Sequence, residues 1–266
     1  MKLRPVEIIE AKYFTIPFSQ LLEKYPSLNS LLLSINPPKF DLGDPNVLSL
    51  LNRSLYKEVV NLEISVPQKH LIPSLGIRYA YCEYMISLMK TNHPLIEIGT
   101  GASAAISLIL AGVYNKNVLA TEIDTNSYHS AIKNIEVNQL TNSINLYKSH
   151  GEMLEGLVPE GKYSGLFCYP PIYTDDQTIL AKKRGWKGTE IELIGGGEKG
   201  MDFSKKLLKE ALESKEIQLE IISLMLTNIN QVRMLLKQIE RKLKYHFIQI
   251  NAGTRRRYVL IIKKDI

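Results

Sequence analysis

Three short runs of the sequence hold residues whose types and spacing suit chemistry. The first is Glu97-Ile98-Gly99-Thr100-Gly101, an apolar stretch ending in glycines, where the backbone can approach a ligand with no side chain in the way. The second is Ala120-Thr121-Glu122-Ile123-Asp124. A carboxylate about 20 residues beyond such glycines can accept both hydroxyl protons of a ribose. Glu122 is first choice for that role; Asp124 either shares it or caps the helix that follows. The third run is Phe167-Cys168-Tyr169-Pro170-Pro171-Ile172-Tyr173. A dinucleotide fingerprint needs a third glycine three residues after Gly101, and position 104 is alanine, so a tightly cradled pyrophosphate fits poorly. The spacing points instead to S-adenosyl-L-methionine as cofactor, with Glu97 meeting its ammonium end.

These runs must be positioned by strands and helices. From Pro94 onward, short apolar stretches alternate with longer amphipathic ones, the rhythm of a doubly wound parallel sheet. The pattern predicts strands over 95–98, 118–121, 144–147, 165–168, 219–226, 245–250 and 258–262. It predicts helices over 102–113, 125–139, 202–213 and 229–242. The connection between the last two strands is too short for a crossover helix, so they must form an antiparallel hairpin. The fold expected is α/β and Rossmann-like: a seven-stranded, mostly parallel sheet with a C-terminal antiparallel hairpin, as in class I methyltransferases. Residues 1–70 are dense in proline and read as a small, mainly helical accessory module that binds RNA, ahead of a catalytic domain over 71–266. Within that module Asp44-Pro45 starts a helix reaching about Val59; beyond it a second helix over 76–89 leads into the core.

Composition narrows the class. The 266 residues are 45% hydrophobic and 23% charged, which excludes disorder and fibrous architectures. No apolar run is long enough for a membrane span, and the charged N-terminus lacks a signal-peptide core, so a cytoplasmic protein is expected. The only cysteines, Cys82 and Cys168, lack metal-ligand spacing and read as buried thiols, so no metal is expected. The net charge of +6 is compatible with a polyanionic partner without establishing one. Its distribution says more. Lys182, Lys183, Arg184 and Lys187 flank the only tryptophan, Trp186, and Arg255, Arg256 and Arg257 precede Tyr258. Cations with an interleaved aromatic suit phosphate contacts beside base stacking; two solvated surface runs are the alternative.

From about Phe40 to Lys263 the chain resembles the RNA adenine-N6 methyltransferases, the family of the bacterial large-subunit ribosomal RNA enzymes and the eukaryotic spliceosomal small nuclear RNA enzyme. The resemblance is carried by Phe40-Asp41-Leu42-Gly43-Asp44-Pro45, by Leu71-Ile72-Pro73 with Arg78, and by the run from Ile96 to Ser103. It continues through Ala120 to Asp124, the Pro-Pro loop, Gly196-Gly197-Glu198 and the stretch from Gly253 to Tyr258. It implies that Arg78, Gly99 and Glu122 contact the cofactor, which the glycine turn with Thr100 and Gly101 seats, and that Pro170 and Pro171 line the target-base pocket. It also implies methyl transfer to an adenosine N6 in structured RNA, ribosomal or small, with the base presented from a loop or bulge. The chain departs from the family at two catalytic positions. Tyr169 stands where the family has asparagine, and Ile172 where it has phenylalanine or tyrosine. A phenol oxygen sits farther from the backbone than a carboxamide. Tyr173 would supply the stacking face if the loop shifts by one residue. Three outcomes stay open: adenine methylation in a rearranged pocket, methylation of another base or a protein amide, and an inactive RNA-binding scaffold.

Overall fold

The structure, a computed structural model, describes residues 4–11, 18–183, 188–197, 199–239, 243–253 and 255–264. Its N-terminal part holds β1 (Ile8–Glu10), α1 (Phe18–Lys24), a 3-10 turn (Pro26–Leu31), the strands β2 (Leu32–Ile35) and β3 (Pro38–Phe40), and α2 (Pro45–Val60). Helix α3 (Leu75–Leu88) leads into β4 (Leu95–Ile98), α4 (Ala105–Gly112), β5 (Val118–Glu122), α5 (Thr125–Val137) and β6 (Ile144–Lys148). The second half runs β7 (Gly161–Tyr163), β8 (Gly165–Cys168), α6 (Asp175–Lys183), α7 (Glu190–Leu193), α8 (Asp202–Glu213), β9 (Ile217–Leu219), β10 (Ile221–Leu226) and α9 (Ile229–Leu236). It closes with β11 (Lys244–Ala252) and β12 (Arg255–Lys263).

The main sheet has eight strands in the order β1-β11-β12-β10-β8-β4-β5-β6. Strands β10, β8, β4, β5 and β6 are mutually parallel, while β12 runs antiparallel to both β10 and β11. The predicted seven strands are all present; the eighth is β1, which pairs parallel to β11 and was too short and too proline-flanked to read from sequence. Strands β4, β5, β8 and β10 are buried throughout, as parallel strands covered on both faces must be. Alternate residues serve opposite layers. Leu95, Ala120, Phe167 and Ile261 join the core made with α3 and α4, whereas Ile96, Leu119, Leu166 and Leu260 join the core made with α8 and α9.

Local chemistry explains several boundaries. Asp44 caps α2 by accepting from Asn46 N at 2.8 Å, with Pro45 at the first turn, and Asn61 in the left-handed region (φ 51°) stops it. Several expected spans are cut shorter, the helix over 229–242 ending at Leu236. Ala104 has φ 51°, so α4 begins at Ala105 instead of 102. The stretch 219–226 divides at Glu220, whose carboxylate accepts from Lys90 N at 2.9 Å and Thr91 Oγ1 at 2.8 Å. On its N-terminal side β9 pairs with β7 in a separate two-stranded sheet.

In the described part of residues 1–70 helix outweighs strand, as expected, and the segment does not build a core of its own. Leu21, Leu28, Leu51, Leu55, Tyr56, Leu62 and Ile64 belong to the same buried cluster as Leu95 and Phe167. Proline breaks the helical pattern into short strands, of which β1 pairs with the free edge of β11 while β2 and β3 pair with each other. Both cysteines are free and buried, and burial pushes both thiols well up.

Candidate active site

The chain proceeds from β4 outward to β5 and β6, then crosses to β8 and β10 on the other side of β4, so a crevice opens at the carboxyl ends of β4, β5 and β8. The three runs singled out above meet there. Gly99 and Gly101 have φ of 71° and 70°, and a Cβ on either would meet no atom within 4 Å. The turn therefore needs glycine for its conformation, and it faces open space, as a surface against which a ligand lies should. Thr121 holds the turn from the next strand: its O accepts from Thr100 N at 2.9 Å and its Oγ1 from Gly99 N at 3.3 Å.

Two buried glutamates stand under this turn. Glu97 is 2% exposed, and its Oε2 accepts from Thr100 Oγ1 at 2.7 Å and from Ser107 N at 2.9 Å, with a further bond from Ser107 Oγ. Burial raises its carboxyl above the ordinary value, opposed by the Ser107 and Thr100 bonds and by Arg78. Glu97 thus clamps the glycine turn onto the first turn of α4, through one of its two oxygens. Glu122 lies at the end of β5, and its Oε2 accepts from Gly101 N and its Oε1 from Asp124 N, both at 2.8 Å. Burial raises its carboxyl too, against the pull of those backbone N–H groups. Each oxygen has a second lone pair left, which is what a ribose diol requires. Asp124 itself is the cap of α5, accepting from Ser127 N at 2.7 Å, so the capping role is the one the structure shows.

The Pro-Pro loop leaves β8 directly beside this crevice. Arg257 Nε on β12 donates to the Tyr169 hydroxyl, and the guanidinium groups of Arg78 and Arg257 lie 5.4 and 5.7 Å from the centre of the Tyr169 ring. Tyr169 is therefore held between one arginine proposed for the cofactor and one proposed for RNA. Ile172 is 4% exposed and belongs to the core, so it offers no aromatic face for a base to stack on. Tyr173 is half-buried, and Tyr169, Arg257 and Arg255 all act electrostatically on its phenol, which burial raises. A cleft of about 230 Å³ borders Tyr173, Lys199, Thr227, Asn228 and Gln231.

The loop is fixed from behind by Leu193, Gly195 and Gly200, which no motif in the sequence singles out. Leu193 O accepts from both Ile172 N at 3.1 Å and Tyr173 N at 2.9 Å. A Cβ at Gly195 would sit 2.0 Å from Gly200 O and 2.5 Å from Pro171 O, and one at Gly200 would sit 2.5 Å from Ile172 O. Glycine is demanded at both by backbone packed against backbone. Helix α7, which carries Leu193, is set by the Thr189/Glu192 capping box, and Glu192 also lies 3.3 Å from His70 Nδ1. The Thr-x-x-Glu spacing was visible in the sequence as a helix start; the His70 contact had no signal. Arg255 and Arg256 are exposed at the start of β12. Arg184, Trp186, Lys187 and Glu198 lie outside the described residues, and Lys182 and Lys183 are described only as the end of α6.

Residues 10–260 match the RNA methyltransferase family. The chain belongs to that family. Among its relatives, the putative methyltransferase MJ0046 of Methanocaldococcus jannaschii is 31% identical over 255 residues, covering 92% of this chain and 95% of the relative. The human RNA N(6)-adenosine-methyltransferase METTL16 is 28% identical over 226 residues, covering 75% of this chain but only 39% of the relative. The METTL16 catalytic domain in complex with a MAT2A 3′UTR hairpin superposes with TM-score 0.83 at 24% identity, covering 94% of this chain and 91% of that one, a likeness of fold. The N-terminal domain of human METTL16 in complex with SAH superposes with TM-score 0.76 at 25% identity, covering 97% of this chain and all (100%) of that one. For this RNA methyltransferase the question is then how the glycine turn, Glu122 and a tyrosine-led Pro-Pro loop divide the work.

Proposed function

We propose that the protein transfers a methyl group from S-adenosylmethionine to the exocyclic N6 amine of an adenosine in structured RNA. The observation that supports it most is the convergence of the open glycine turn, the buried Glu122 and the Tyr169-Pro170-Pro171 loop on one crevice of a family member. The residues fit the cofactor: Gly99 and Gly101 face open space, and Glu122 keeps a lone pair on each oxygen for the ribose. When bound, S-adenosylmethionine supplies a sulfonium methyl for direct displacement by the amine. Arg78 and Glu97 would face its amino-acid end. Pro170 would present its carbonyl to one amine hydrogen, Pro171 would wall the base pocket and Tyr173 would stack the base. Catalysis is then mostly orientation of the two reacting atoms. Arg255 and Arg256, with the basic run around Trp186, would hold flanking phosphates. The RNA is ribosomal or a small structured RNA, and the reaction runs in the cytoplasm.

Tyr169 favours a second reading. Its oxygen accepts from Arg257, so its own hydrogen is left to donate, whereas the family asparagine offers an acceptor at this position. A donor there would suit a base with an acceptor atom beside its amine, cytosine as well as adenine. Incubating the protein with labelled adenosylmethionine and unmodified total RNA tests the proposal: label is expected in the RNA and to vanish on ribonuclease treatment. Label that resists ribonuclease and follows protein would refute it.

A further inference from the structure

The cleft beside Tyr173 has a one-sided chemistry that the reading of the acceptor site leaves unused. It holds about 230 Å³ and opens between the Pro-Pro loop, the start of α6 and the turn from β10 into α9. Its walls are fixed. Gln231, 7% exposed, accepts from Thr227 N at 2.9 Å and donates to Ile172 O at 3.5 Å, which ties the start of α9 to the loop. Lys199 is placed by its neighbour Gly200, whose backbone packs so closely on the loop that a Cβ there would sit 2.5 Å from Ile172 O and 2.7 Å from the Tyr173 carbonyl carbon.

Gln177, Asn228 and Asn230 also line the cleft, and each has its amide oxygen engaged within the protein. Gln177 Oε1 accepts from Thr174 N at 3.1 Å. Asn228 Oδ1 accepts from Asn230 N at 3.0 Å and Gln231 N at 3.1 Å, and Asn230 Oδ1 accepts from Arg233 Nη1 at 2.6 Å. Only the oxygen of an amide can meet a backbone N–H or a guanidinium, so these bonds set which way each amide points and leave its NH2 over. None of the three NH2 groups has a partner among the described residues. Lys199 has no acidic partner among them either, and no described carboxylate lines the cleft. All four side chains are exposed and so open to a ligand. The first N–H groups of α9 are already taken by Asn228, so the donors here belong to side chains brought together from three segments.

We propose that this cleft seats a phosphate of the RNA strand, the one adjoining the nucleotide whose base stacks on Tyr173, held by Lys199 with the amides of Gln177, Asn228 and Asn230. Phosphate oxygens only accept, and three NH2 groups with one ammonium only donate. Such contacts fix the register of a strand without reading its sequence. A nucleotide drawn out of its stack also needs its backbone held beside the reacting base. The proposal rests on the reading that the chain acts on RNA.

Fluorescence anisotropy tests it, with adenosylhomocysteine present and a labelled synthetic hairpin whose G·C stem carries a uridine loop holding a single adenosine. A neutral methylphosphonate replaces one phosphate at a time around the loop. In the native chain, one of the two linkages flanking the adenosine should weaken binding roughly tenfold when neutralised, and distant linkages far less. Lys199→Ala should bind the unmodified hairpin roughly tenfold more weakly, lower the salt slope by about 0.7, and lose its sensitivity to that linkage, while Lys199→Arg restores all three. Asn230→Asp, which keeps the oxygen for Arg233 and replaces a donor by an anion, should weaken binding as well. An equal loss at every linkage overturns the proposal, because it marks a diffuse surface field. Lys199→Ala that keeps the native sensitivity overturns it too, as does affinity that follows the base beside the adenosine instead of the linkage. A native chain that binds no hairpin refutes the RNA reading itself, and the proposal with it.

Discussion

Replacing Glu122 with glutamine removes a charge while keeping the shape of the side chain. The native carboxylate is 5% exposed and accepts from Gly101 N and Asp124 N at 2.8 Å, one to each oxygen. Two ribose hydroxyls would take the remaining lone pairs. Hydrogen bonds to a charged acceptor contribute about 1.5–3 kcal/mol each and are about twice as strong as neutral ones, and glutamine offers one oxygen where glutamate offers two. With solvent competing for the free diol, the net loss should be about 2 kcal/mol, or about 30-fold in affinity for adenosylhomocysteine. The pH dependence supplies an independent check. Burial raises the Glu122 carboxyl above its ordinary value of 4.5, so the free protein holds this proton to higher pH than an exposed glutamate does. Accepting both hydroxyls requires the proton to leave. Native affinity should therefore rise with pH through the raised pKa, by up to about tenfold per unit, and level off above it. Glu122→Gln should lose that dependence. Calorimetric titrations of both proteins at several pH values measure it. A variant with native affinity, or with the native pH profile, would refute the assignment of Glu122 to the ribose.

Other substitutions probe the remaining parts. Unfolding of the ligand-free chain should show the opposite pH trend. Glu97 and Glu122 release their protons earlier in the unfolded chain, so stability falls as pH rises from 4.5 through the raised folded values. Melting curves should show that fall reduced in Glu97→Gln. Gly195→Ala forces a Cβ to 2.5 Å from Pro171 O and displaces the Pro-Pro loop. Methyl transfer should drop about a hundredfold while adenosylhomocysteine affinity holds, since small misplacements at a reacting centre have that effect. Tyr169→Phe keeps the ring between Arg78 and Arg257 but removes the acceptor for Arg257 Nε. Single-turnover transfer should slow about tenfold with cofactor affinity unchanged, as loss of one positioned hydrogen bond implies. Arg256→Ala, at an exposed position, should lower the salt dependence of RNA binding by about one ion without changing the transfer rate at saturation.

How far the sequence could be read depended on how local each determinant is. The glycine turn, the acid after β5 and the terminal hairpin are set by residues close in the chain, and all stand where their spacing put them. Helix α2 starts at Pro45 because Asp44 caps it, a signal contained in adjacent residues. What escaped depends on distant partners. Strand β1 exists because β11 has a free edge beside Ile8–Glu10, and the break at Glu220 exists because Lys90 and Thr91 donate to it. That residues 1–70 pack into the same core as the sheet could not be read, because Tyr56, Leu62 and Ile64 look like the apolar face of any helix or strand, and nothing local names the sheet they pack on. At the acceptor loop the sequence showed that Tyr169 and Ile172 depart from the family. Only the folded chain shows Arg257 reaching the Tyr169 hydroxyl from β12, and Ile172 withdrawn into the core.

The central claim is that the crevice at the ends of β4, β5 and β8 methylates an adenosine amine, and the identity of the methylated atom tests it most directly. RNA lacking the modification, incubated with the native protein and isotopically labelled adenosylmethionine, would be digested to nucleosides and the labelled product identified by mass spectrometry against standards. The account predicts label in N6-methyladenosine, and far less of it with Glu122→Gln. Label confined to a methylated cytidine or guanosine, or no label from a protein that binds adenosylhomocysteine and RNA, would contradict it.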